Sequence, residues 1–148
     1  MSTESLIHLL LDEAALLDEL LGLIVEQRES VKNGDQAAMQ DTIKRVQDVF
    51  FRVQTQEAQR IRAVESAAAE FGCEPTLSAL SGAIPAEQRA LFTGAGERLG
   101  HSVFELKAEM AVLSGLIEQN ERFSAMLLSE WRRLDTGFTR AGGLDFRG

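Results

Sequence analysis

His8 and His101 are the two histidines of this 148-residue chain, and Cys73 is its one cysteine. An imidazole can hold a metal, move a proton or carry a phosphoryl group, and a thiolate can act as a nucleophile. Each histidine follows a glutamate by four positions, Glu4–His8 and Glu97–His101, which on a helix sets a carboxylate beside an imidazole. A carboxylate-bridged di-iron bundle instead needs Glu-x-x-His on two helices and two further inward glutamates. Neither histidine has that spacing, and nothing around either marks a phosphotransfer site. Both are expected at the surface or at an interface. Cys73 has no Cys-His arrangement and reads as an inert thiol; being single, it allows no intramolecular disulfide, which suits a reducing compartment. Gly94-Ala95-Gly96 and Gly142-Gly143 lack the lysine and Ser/Thr that would follow in a phosphate loop. No catalytic residue, metal ligand or cofactor is therefore expected, and the chain is not read as an enzyme.

What the sequence does carry is a helical period through most of its length. With two prolines, no tyrosine and few β-branched runs, the fold class is all-α: a long antiparallel helical hairpin, with a third long helix completing an elongated bundle and a flexible C-terminal tail. The first helix is placed at about 4–32, with Ser2 or Thr3 as N-cap and Gly34 in the left-handed position that closes it. Its rows Ile7–Ala14–Leu21 and Leu10–Leu17–Ile24–Val31, joined by Leu6 and Leu20, make an apolar face wider than a two-stranded seam. Asp35 caps a second helix over 36–71, ending at Gly72. Its seam runs Met39, Ile43, Val46, Phe50, Val53, Val64, Ala67 and Phe71, interrupted by Glu57 and Arg60.

Thr76 then caps a short turn of helix at 77–82, from which Leu77 and Leu80 tuck against the hairpin. Pro85 opens a third long helix over 86–136. Gly94, Gly96 and Gly100 soften its early part, so a break near 93–96 is expected. Residues 1–136 form one helical domain, and 137–148, with four glycines and no helical period, form the tail. The seam of the third helix weakens after Ile117, where Asn120 and Ser124 replace aliphatic residues. It nonetheless keeps Leu127, Leu128 and Trp131, as a helix does when it awaits a partner.

The formal net charge is −8. Nucleic acid and anionic lipid both need clustered Lys and Arg, so neither is an expected partner. Four acids, Asp12, Glu13, Asp18 and Glu19, interrupt the leucine-rich run from Leu6 to Val25, which argues against membrane insertion. No secretory signal is visible. The chain is read as a soluble cytoplasmic protein whose apolar stripe engages another protein, itself a monomer or a weak homodimer. Its main competitor is a non-enzymatic coiled-coil adaptor or structural homodimer, because an apolar seam alone does not separate self-association from partner binding.

The order of parts carries a resemblance. A leucine-rich acidic first helix leads to Val31-Lys32-Asn33-Gly34-Asp35 and Ala38; a second long helix ends in Phe71-Gly72. Thr76-Leu77 with Leu80 and a proline follow, and then a long helix bearing Leu116-Ile117-Glu118-Gln119-Asn120. Over essentially its full length the chain resembles the FlgN family of flagellar type III export chaperones. The resemblance implies a non-enzymatic cytoplasmic protein that binds hook-associated proteins of the hook-filament junction. It would prevent their premature self-association and pass them to components of the export apparatus. It also implies that the C-terminal helical region engages the client. The candidate client-binding residues are Asn120, Phe123, Leu127, Leu128, Trp131, Leu134 and Phe138. Asn120 matches the second of two asparagines spaced three apart in that family, Ile117 stands where the first would be, and the tail lacks the family's common tyrosine.

Overall fold

Ser2 accepts a hydrogen bond from the backbone N–H of Ser5 at 3.1 Å and so fixes where the first helix begins. The structure is a computed structural model that describes residues 2–120 together with residues 130, 132–134 and 136. It is an all-α bundle with no strand among the described residues. Its helices are α1 (Thr3–Asn33), α2 (Gln36–Phe71), α3 (Leu77–Ala83) and α4 (Ala86–Gln119). Gly34 (φ 67°) and Gly72 (φ 68°) are left-handed and end α1 and α2, a backbone region that costs a side-chain-bearing residue energy. Asp35 caps α2 through the N–H of Ala38, and Thr76 caps α3 through the N–H of Ala79. Arg89 closes the far end of α3 by donating to the carbonyls of Ser81 and Ile84, two of the acceptors a helix end leaves open.

The wide apolar face of α1 has a structural reason: α1 packs along both α2 and α4, while α3 bridges those two helices. Leu6, Leu10, Leu17, Leu20, Leu23, Ile24 and Val31 are all buried, each worth roughly 1.5–3 kcal/mol of transfer free energy. Polar cross-links set the register. Glu26–Arg45, Glu19–Arg52 and Glu13–Arg60 join α1 to α2. Numbers fall along α1 as they rise along α2, so the hairpin is antiparallel. Asp18 accepts from Arg98 and Ser102 at 2.7 and 2.8 Å, and Arg28 forks onto Glu109 at 2.7 and 3.0 Å. In those pairs both numbers rise together, so α4 runs parallel to α1.

Two features of the third long helix differ from the sequence expectation of 86–136 with a break near 93–96. First, α4 is continuous through Gly94, Gly96 and Gly100. Phe92, Ala95 and Leu99 are buried on the same stretch at 1%, 3% and 0% exposure, and their burial outweighs about 1 kcal/mol per glycine. Second, α4 ends at Gln119. Asn120 is extended (φ −117°, ψ 98°), and its side-chain amide donates to the Val31 carbonyl at 3.4 Å. The asparagine that weakens the seam is thus the point where the helix stops. Residues 130, 132–134 and 136 are helical again. The expected tail, 137–148, lies outside the described residues.

Candidate partner-binding groove

Phe50 and Phe51 are adjacent on α2, so about 100° of helix rotation separates them and both cannot face α1. Phe50 is half-buried against the core, whereas Phe51 is 69% exposed. Beyond them, Gln54, Glu57, Ala58 and Ile61 continue the same side of α2. Glu130, Arg132, Arg133, Leu134 and Thr136 lie opposite, and together they line an open groove of about 850 Å³. Gln47 donates to the Glu130 carboxylate at 3.1 Å, Arg133 forks onto that same carboxylate at 2.7 and 2.9 Å, and Leu134 is buried.

The α2 wall of the groove has an ionic floor. Arg60 Nε donates to Glu13 Oε2 at 2.7 Å, and Arg60 Nη2 stands 3.6 Å from Glu57 Oε1. All three residues are buried, at 0%, 3% and 5% exposure for Glu13, Glu57 and Arg60. Among the described residues, Glu13 Oε1 and Glu57 Oε1 accept no hydrogen bond. Two carboxylates share one guanidinium, so the cluster carries either one excess negative charge or one proton. Burial, and then the charge of Glu13, push the Glu57 carboxyl up to about 7 against the opposing pull of Arg60. Burial also raises Glu13, offset by the charge and hydrogen bond of Arg60. The 2.7 Å contact with the guanidinium favours the ionised form at Glu13 more than at Glu57, whose carboxyl stands farther from it at 3.6 Å.

Of the seven candidate client-binding residues, the described residues include Asn120 and Leu134. They do not sit together: Asn120 is tied to the last turn of α1, and Leu134 packs at the groove beside α2. Phe123, Leu127, Leu128, Trp131 and Phe138 lie outside the described residues. Sequence reasoning placed Phe50 on a seam and saw Glu57 and Arg60 as an interruption, but missed Phe51 and Glu13. The Phe50-Phe51 doublet about two turns before a polar pair was the available signal. Glu13 had none, because its partner lies 47 positions away.

The histidines are exposed, and each pairs within its own helix. His8 stands 4.0 Å from Glu4, and His101 stands 3.0 Å from Glu105 rather than from Glu97. Among the described residues no group of three or more His, Cys, Asp or Glu could hold a metal. Cys73 is half-buried in the turn after α2. Nor is any helix of the described residues long and apolar enough to cross a membrane.

A family model described as FlgN protein matches residues 1–142. The chain belongs to the FlgN family. FlgN proteins are flagellar export chaperones rather than enzymes, and membership implies binding to flagellar proteins. No curated protein and no solved structure matches the chain.

Proposed function

We propose that this FlgN chain is a cytoplasmic chaperone for hook-associated proteins of the hook-filament junction. It holds them apart until they are handed to components of the type III export apparatus. The reading is supported chiefly by the groove along α2, whose lip carries the exposed ring of Phe51 and whose second wall is the C-terminal segment. Asn120 and Leu134 anchor that segment to the bundle, and Phe123, Leu127, Leu128, Trp131 and Phe138 are the apolar side chains offered to the client. A client helix with its own apolar stripe completes the bundle there instead of pairing with another client. Tryptophan suits such a contact, since large aromatic anchors dominate most interfaces.

Light scattering of purified junction proteins tests the proposal. An equimolar amount of this chain is expected to suppress their self-assembly; self-assembly at the unassisted rate contradicts it.

A further inference from the structure

We infer that Glu13, Arg60 and Glu57 form a proton-operated latch between α1 and α2. With one proton in the cluster, the second half of α2 lies closed on α1; when that proton passes to bulk water, the same half opens locally. Packing leaves this stretch dependent on the cluster. The first half of α2 buries the apolar Met39, Val46, Val49 and Val53, whereas the buried positions between Val53 and Ala63 are Glu57 and Arg60. Beyond them α2 buries Ala63, Val64, Ala67 and Ala68, small side chains that offer little apolar area. A segment with few buried apolar contacts opens at lower cost than the core around it.

Two acids and one base do not balance in a dry interface. Glu13, Glu57 and Arg60 are 0%, 3% and 5% exposed, and Glu13 Oε1 and Glu57 Oε1 accept no hydrogen bond among the described residues. With both carboxyls ionised the cluster buries one net negative charge, which either a bound proton or opening to water relieves. The neighbouring helices do not supply the missing charge. α3 carries no ionisable side chain, and α4, in register through Asp18–Arg98, buries the uncharged Phe92 and Ala95 near this level. Glu130, Arg132 and Arg133 line the groove that Glu57 also lines. Arg133 pairs with Glu130, and Arg132 is exposed, so water screens its charge.

The closed carboxyl of Glu57 is raised to about 7, and an open one returns toward 4.5. Between those values the closed form holds the extra proton, so the opening constant rises by up to about tenfold per pH unit and levels off above about pH 7. Amide hydrogen exchange of the full-length chain tests this, followed by NMR from about pH 5 to about pH 8 and corrected for the exchange of unstructured amides. Opening at 54–64 is expected to rise by about tenfold or more between about pH 5 and about pH 7, and to respond weakly to low urea, as a local event does. Opening at 36–46, at the other end of the hairpin, should stay flat over that range. Glu57→Gln, verified as helical by circular dichroism, should remove the rise, and Arg132→Gln should keep it. The carbon-13 shifts of the Glu13 and Glu57 carboxyls in the parent chain give a second readout, with one of them expected to titrate at about 7. A flat profile at 54–64, a rise that survives Glu57→Gln, or two carboxyls that both titrate in the ordinary range overturns the inference. So does an equal rise at 36–46 with a strong urea response, which would be global unfolding. Loss of the rise in Arg132→Gln overturns it as well, because the balancing charge would then lie at the rim of the groove.

Discussion

Arg60 on α2 donates to Glu13 on α1 across 2.7 Å, with both side chains sealed in the hairpin interface. Removing one member of such a pair strands the other as a buried uncompensated charge, which costs about 3–5 kcal/mol. Arg60→Ala strands the Glu13 carboxylate and should fall in that range. Glu13→Gln, which keeps shape and an acceptor, should cost less. Urea unfolding followed by circular dichroism measures both, and a loss below ~1 kcal/mol for Arg60→Ala would contradict the buried cluster.

Glu57 makes stability depend on pH in a definite direction. Its carboxyl is raised from 4.5 to about 7 in the fold, so between those values the folded chain binds more protons than the unfolded one. Stability from this group is therefore present below pH ~4.5 and is lost as pH rises through about 7. The diagnostic is a comparison of Glu57→Gln with the parent chain. Near pH 5 their melting temperatures should coincide, and by pH 8 the variant should melt several degrees higher, the shift expected for about 2–3 kcal/mol. A constant difference across that range would place the proton elsewhere.

The glycines of α4 yield a simpler expectation. A Cβ added at Gly94 or Gly100 meets no atom within 4 Å, and both sit in regular helix. Alanine at either position should stabilise by about 0.5–1 kcal/mol. The two effects should add roughly, because the residues are six positions apart and do not share a partner. Thermal unfolding of the single and double variants checks this, and destabilisation would mean that the helix needs a bend there.

Position within the core sets the cost of truncating a large side chain. Leu10 and Leu17 are 0% exposed in the middle of α1, where α2 and α4 both lean on the helix. Leu10→Ala or Leu17→Ala should cost about 2–5 kcal/mol, whereas Phe104→Ser on the outer side of α4 should stay within about 0.5 kcal/mol. Equal losses at the two kinds of site would mean that Phe104 is covered in solution.

Much of this fold was legible in the sequence because its determinants are local. Asp35 and Thr76 cap what their positions suggested, and Gly34 and Gly72 stop the first two helices. The leucine rows of α1 are wide because two helices share them. Features decided between distant residues were not legible. Arg60 and Glu57 looked like an interruption of a seam until Glu13 met them from α1. Phe71, placed on the same seam, is 39% exposed, because α2 has 36 residues against 31 in α1 and its last turn runs past the partner helix. The glycines of α4 predicted a break through propensity alone, which the burial of Phe92 and Leu99 overrides. Asn120 drew notice as a polar residue on an apolar stripe, and its bond to the Val31 carbonyl, where α4 stops, depends on a contact 89 positions away.

The chaperone account turns on the segment beyond Asn120. Calorimetric titration of a purified hook-filament junction protein into the full-length chain, and into a chain ending at Asn120, tests it most directly. That truncation keeps the Asn120–Val31 bond and all of α1–α4. The account predicts that the shortened protein stays helical and loses client binding by at least tenfold; equal affinity for the two proteins would contradict it.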